Sequence, residues 1–103
     1  MLIQLAKSDA QILSCFPTLY QLRPHLEQKD FLAQVHRQQQ DGYELVFVDI
    51  GSHVAAVAGF RISECLDYRH FIYLDDLVVD ETVRSQKYGQ RLFDWLIEYA
   101  KLH

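Results

Sequence analysis

Two carboxylates stand side by side in an otherwise apolar run, Tyr73-Leu74-Asp75-Asp76-Leu77-Val78-Val79. Such a run reads as a strand, and a carboxylate on a largely buried strand needs a partner or a task, because an unpaired buried charge is strongly disfavoured. In a regular strand Asp75 and Asp76 point to opposite faces, so that one could meet a substrate while the other meets a helix or a capping donor; a bulge would change which is which. Five residues further on, Arg84-Ser85-Gln86-Lys87-Tyr88-Gly89 leads into an amphipathic segment. A loop that brings backbone N–H groups to a helix N-terminus gathers orphan donors and the positive end of the helix dipole at one point, which suits a phosphate or pyrophosphate. The pattern points to a phosphorylated ligand held beside a pair of acids. The structural alternative stays open: the acids could be satisfied by local N–H groups or by an arginine such as Arg61 or Arg69, and many strand-loop-helix turns bind nothing.

Other chemistries find less support. The five histidines, His25, His36, His53, His70 and His103, and the two cysteines, Cys15 and Cys65, show no metal-ligand spacing and no C-x-x-C pair. Cys15 and Ser85 have no evident base partner, which leaves a covalent route through either without a basis. Ten Lys and Arg against fourteen Asp and Glu give a net charge of −4, and no basic run is present that could neutralise a row of phosphates. Nucleic acid is an unexpected partner and a cationic ligand is the easier one. No stretch approaches the roughly 18 apolar residues of a membrane helix, and the N-terminus lacks a basic segment followed by a long apolar run. We expect no membrane partner, a soluble cytoplasmic chain, and buried, reduced thiols.

The elements that must position these groups can be read from pattern. Leu2 to Leu5 suits a short strand, and Ser8-Asp9-Ala10-Gln11 has the form of a capping box opening a helix with Ile12, Leu13 and Phe16 on its apolar face. Pro17 should kink or restart that helix before it ends near Pro24. A second, more polar helix is predicted from about Glu27 to Gln40, with Gly42 as its C-terminal stop. Tyr43–Asp49 and His53–Glu64 are rich in β-branched and aromatic residues around the Asp49-Ile50-Gly51-Ser52 turn, which predicts an antiparallel hairpin. Gly59 within it marks either a bulge, a close backbone approach, or a simply tolerated glycine. His70 to Val79 forms the next strand. In the last helix Leu92, Phe93, Leu96, Ile97 and Ala100 are predicted to face the sheet, with Gln90, Arg91, Asp94, Glu98 and Lys101 outward and Tyr88 packing at its start. The order is β-α-α-β-β-β-α in a single α/β (α+β type) domain over residues 1–103, large enough to bury about two-thirds of its unfolded surface.

This order, with its loop between the fourth strand and the third helix, resembles the N-terminal two-thirds of the GNAT family of acetyl-CoA-dependent N-acetyltransferases. The family's loop reads Gln or Arg, two variable residues, Gly, one variable residue, then Gly or Ala. Here Arg84 and Gly89 match, and Lys87 stands where glycine is usual. The resemblance implies a mostly antiparallel sheet, acetyl-CoA as co-substrate, and a small-molecule primary amine as acceptor, attacking the thioester directly. It implies that Leu77, Val78 and Val79 run beside the pantetheine arm and that Arg84, Ser85, Gln86, Lys87, Tyr88 and Gly89 hold the phosphates. Asp75 and Asp76 become the candidate catalytic residues, attracting an ammonium and assisting removal of its proton; Asp75 is preferred for the substrate side because amine-acetylating members are acidic at the matching position.

Family members continue after the third helix with a fifth strand, a fourth helix and a closing hairpin, which form the far wall of the coenzyme cleft and often supply the general acid. The sequence stops at His103. The fourth strand would then present an open edge that invites a homodimer, a domain swap or a longer parent chain. The alternative function is a catalytically inactive or truncated remnant that binds coenzyme A or self-assembles. If the fourth loop position needs a left-handed backbone, Lys87 carries a penalty of roughly 1–2 kcal/mol relative to glycine there.

Overall fold

A computed structural model describes residues 1–63 and 71–102. Cys65, Arg69, His70 and His103, and the expected strand ends at Glu64 and His70, lie outside the described residues. Strand β1 (Leu2–Leu5) leads to helix α1 (Asp9–Ser14), capped by Ser8 through the predicted capping box, with Gln11 N–H donating to Ser8 Oγ at 3.1 Å and Ser8 N–H donating to Gln11 Oε1 at 3.0 Å. The chain then breaks at Cys15 and restarts as α2 (Phe16–Leu22), which places Pro17 in the first turn of the new helix. There its missing N–H has no intrahelical acceptor to lose, so the proline causes the break without weakening α2. Helix α3 (Gln28–Gln40) ends at Asp41 and at Gly42, whose φ of 91° supplies the left-handed stop.

Strands β2 (Tyr43–Asp49), β3 (Val54–Ser63) and β4 (Phe71–Val79) come next, then a 3₁₀ turn (Glu81–Gln86) and helix α4 (Tyr88–Leu102). The sheet is antiparallel throughout, in the order β1-β2-β3-β4. His53 lies in the turn rather than in β3, because the Asp49 carboxylate accepts from Gly51 N–H at 2.8 Å and Gly51 takes φ 94°, closing a tight loop that keeps the next residues out of register.

The two central strands are buried on both faces. Tyr43, Leu45, Phe47, Val57 and Val78 join Ile12, Leu19, Phe31 and Val35 of the α1–α3 layer, while Val46, Val48, Ala56, Ala58 and Phe60 meet Leu92 and Leu96 of α4. Thr18 Oγ1 donates to Val54 C=O at 2.9 Å, fastening α2 to β3. Helix α4 departs from expectation in the face it buries. Leu92 and Leu96 are buried, but Phe93 and Ile97 remain 45% and 42% exposed. Their places against the sheet are taken by Trp95 and Tyr99, which stack at 4.9 Å and meet the Phe60 ring edge-on at 6.5 and 5.6 Å. Two large aromatics on one stripe bury more area than Phe93 and Ile97 can, and they rotate the helix toward themselves.

Candidate active site

Strand β4 carries a bulge. Asp76 pairs with Gly59 and Leu74 with Phe60, which leaves Asp75 as the extra residue. The bulge cancels the alternation of the strand, so Asp75 and Asp76 both find partners on the α1–α3 face, contrary to the regular-strand expectation. Asp75 Oδ2 accepts from Arg61 Nε at 3.1 Å, and the Arg61 guanidinium lies 5.8 Å over the Tyr43 ring. Asp76 Oδ2 accepts from Tyr43 OH at 2.8 Å and Oδ1 from Arg23 Nε at 3.0 Å. Burial, then the neighbouring Asp76 charge, pushes the Tyr43 phenol well above its ordinary range, so it remains a donor at physiological pH.

Of the alternatives open at Gly59, the bulge is present, since the register shifts between Gly59 and Phe60, and what approaches the glycine is a side chain, that of Tyr43, not a backbone. A Cβ on Gly59 would sit 1.9 Å from the Tyr43 hydroxyl oxygen. The tyrosine thus lies across the one position in β3 without a side chain, and from there its hydroxyl reaches β4. Tyr43, Arg23 and Asp76 open onto a cavity of about 320 Å³ whose apolar wall is Leu19, Leu26, Phe31 and Val35 and whose further polar groups are His25, Gln34 and Gln38.

A second groove of about 440 Å³ lies at the other end of β4, lined by Gln21, Leu22, Leu77, Val78, Val79, Arg84, Lys87, Gly89 and Gln90. It brings together six of the nine residues expected at the coenzyme. Lys87 adopts φ 65° and ψ 24°, the left-handed conformation the loop requires, and Tyr88 opens α4 directly after it. Gly89 is there for a different reason. A Cβ on it would meet Val79 Cγ2 at 3.0 Å, so the residue lets the start of α4 close on the end of β4. Arg84 folds back to donate to Val79 C=O at 3.4 Å. Of the remaining three, Ser85 is exposed, Gln86 accepts from Tyr88 OH at 3.3 Å, and Tyr88 packs on the α4-side core. Gly89 and Gln90, in the first turn of α4, line this groove, and the first N–H groups of a helix have no acceptor within it.

The loop is held from beneath by Asp80. Its carboxylate accepts from Gln21 Nε2 at 2.9 Å and Thr82 Oγ1 at 2.8 Å, and His53 Nε2 stands 2.6 Å away. The bonds from Gln21 and Thr82 hold it at about 2, below the ordinary 3.8.

The Acetyltransferase (GNAT) family matches the sequence over residues 10–103. The chain belongs to the GNAT family. Solved structures agree on the GNAT fold. A GNAT acetyltransferase of Staphylococcus aureus superposes with a TM-score of 0.84 at 14% identity, covering 97% of this chain and 77% of its own. Glucosamine-6-phosphate N-acetyltransferase of Arabidopsis thaliana gives 0.74 at 16% identity, covering 98% and 76%. The aminoglycoside 6'-N-acetyltransferase of Acinetobacter haemolyticus gives 0.71 at 14%, covering 99% and 72%. No curated protein sequence matches significantly.

In this GNAT chain the sequence reading found the loop and the paired acids but not their setting. Of the two arginines offered as partners for the acids, Arg61 pairs with Asp75, and Arg69 lies outside the described residues. Arg23, Tyr43 and the Asp80 cluster were missed; only Gly59, whose lack of a side chain admits Tyr43, carried a signal for any of them. Among the described residues no helix is long and apolar enough to cross a membrane, and Cys15 is free and fully buried.

Proposed function

We propose that this protein transfers an acetyl group from acetyl-CoA to a primary amine on a small molecule. The observation that carries the reading is the continuity along β4: a groove ending at a helix N-terminus with Arg84 and Lys87 at one end, and a bulged carboxylate pair beside a separate cavity at the other. The first N–H groups of α4 and the Lys87 ammonium suit the pyrophosphate. Leu77, Val78 and Val79 suit the pantetheine arm, whose amides would pair with the outer edge of β4. The thioester then lies near the bulge, where strand N–H groups can stabilise the oxyanion.

The acceptor enters the cavity at Asp76. Its neutral amine attacks the thioester carbonyl, forming the C–N bond; collapse of the tetrahedral intermediate breaks the C–S bond and expels coenzyme A thiolate, which takes up a proton. The proton lost by the amine passes to the Asp75–Asp76 pair directly or through water. A buried, free Cys15 suits a reducing compartment, and the cytoplasm is part of this reading. The test is acceptor-dependent release of thiol from acetyl-CoA by the purified chain, with loss of turnover but not of coenzyme binding in Asp76→Asn.

A second reading, a coenzyme-binding or self-assembling module without turnover, is favoured by the lysine in a left-handed loop position and by the outer edge of β4, which no described strand covers. Under it a second copy adds to the β4 edge. Coenzyme binding without turnover, together with a dimer in light scattering, would support this second reading; a stable monomer would sink its assembly half.

A further inference from the structure

We infer that the acceptor is an anionic amine, one that carries a phosphate or carboxylate in addition to the amino group, and that Arg23 and His25 recognise that anion. The inference rests on the acetyltransferase reading and specifies what the Asp76 cavity takes. Cavity chemistry argues against an acceptor recognised chiefly as an ammonium. Asp76 is the acid among the residues that line it. Both its oxygens are already engaged, by Arg23 at 3.0 Å and Tyr43 at 2.8 Å, and its side chain is only 16% exposed. Asp75 is likewise paired with Arg61. The acidic strand is thus neutralised from within, and a polyamine would have to displace an arginine from each acid to be held by it.

The spare capacity in the cavity is on the donor side. Arg23 spends Nε on Asp76 and Nη2 on Asp75 C=O at 3.4 Å, which leaves Nη1 without a partner among the described residues. The His25 ring also lacks one among them, and Gln38, which accepts from Gln34 at 3.3 Å, keeps its own amide N–H₂ group to offer. A guanidinium donor, an imidazole and an amide around one opening match the oxygens of a phosphate or carboxylate. With Asp76 held in place by Tyr43 and Arg23, an amine whose anion rests on the free Nη1 of Arg23 and on His25 is kept beside the bulge of β4. The chain's net charge of −4 does not oppose this, since charges beyond about 8–10 Å are screened at physiological salt while the contact with Arg23 is not.

The test uses matched pairs that differ only in the anion, O-phosphoethanolamine against ethanolamine and β-alanine against propylamine, titrated into the full chain and assayed for thiol release from acetyl-CoA. The expected result is at least tenfold tighter binding and a lower KM for the anionic member of each pair. Arg23→Gln should abolish that preference, weakening the anionic member of each pair at least tenfold more than the neutral one, and Arg23→Lys should restore part of it. Equal or tighter binding of ethanolamine, propylamine or spermidine would overturn the inference, as would an Arg23→Gln loss that falls equally on both members. Acetyl-CoA titrated separately distinguishes the two levels: its failure to bind would remove the acetyltransferase reading, whereas preference for the anion, read directly from acceptor binding, stands or falls without turnover.

Discussion

Replacing Gly59 by alanine should be among the most damaging single-atom-group changes in this protein. The new Cβ would lie 1.9 Å from Tyr43 Oη, 2.5 Å from Cζ and 2.9 Å from Cε1, so the ring must leave its place on β3. Tyr43 is 4% exposed, and to yield, its ring must swing toward the cavity it borders and give up its place beside Leu45 and Phe47 in the core. Forcing a group into a packed core costs about 1–3 kcal/mol. The hydroxyl also loses its bond to the Asp76 carboxylate, a bond to a charged group worth about 1.5–3 kcal/mol. Against this, alanine in a strand interior regains about 0.5–1 kcal/mol over glycine. We expect a net loss of about 1.5–5.5 kcal/mol, which lowers Tm by about 6 °C or more in a chain of this size. In a Tyr43→Leu background the obstruction is gone, and the same Gly59→Ala change should become neutral or mildly stabilising. Thermal unfolding of the four chains forms a double-mutant cycle. A Gly59→Ala chain with unchanged Tm, or with the same loss in both backgrounds, would refute the packing argument.

Lys87→Gly removes a left-handed lysine whose penalty is about 1–2 kcal/mol and adds unfolded-state freedom of about 0.4–1 kcal/mol, so stability should rise by up to about 1.6 kcal/mol while acetyl-CoA affinity falls; a melt and a titration read the two effects, and lower stability would contradict the assigned backbone. Asp80 contributes stability that is fully present above its ordinary pKa of 3.8 and is lost as pH falls through about 2, because its folded value is the lower one. Acid unfolding of Asp80→Asn should therefore be less steep across that window than that of the parent chain, and identical slopes would show that its bonds are not made. Burial pushes the Cys15 thiol up to about 12, so in a Cys65→Ser chain a thiol reagent at pH 8 should react only after denaturant is added; rapid stoichiometric labelling of the folded chain would contradict its burial.

Much of the fold is legible because several cues agree locally. The Ser8 capping box, the proline restart, the Gly42 stop and the β2–β3 turn each rest on a few adjacent residues, and each appears where the sequence places it. Helix α4 shows the limit of that approach. Counting apolar residues puts Phe93 and Ile97 inward, yet the helix turns toward the larger contact area of Trp95 and Tyr99, a choice set by Phe60 more than thirty residues away. The site divides along the same line. The loop from Arg84 to Gly89 is a local motif and can be read directly. The orientation of Asp75 and Asp76 depends on a bulge, and the bulge depends on pairing with β3. Arg23 reaches Asp76 across 53 residues of sequence from the end of α2, a contact no local pattern announces.

Calorimetric titration of acetyl-CoA into the 103-residue chain, with its oligomeric state measured in the same sample, tests the acetyltransferase proposal most directly. Micromolar binding, on the order of 8 kcal/mol, that is weakened by substitution of Arg84 or Lys87 is the predicted result. An absence of binding, or binding indifferent to both substitutions, would contradict a coenzyme groove between β4 and the start of α4.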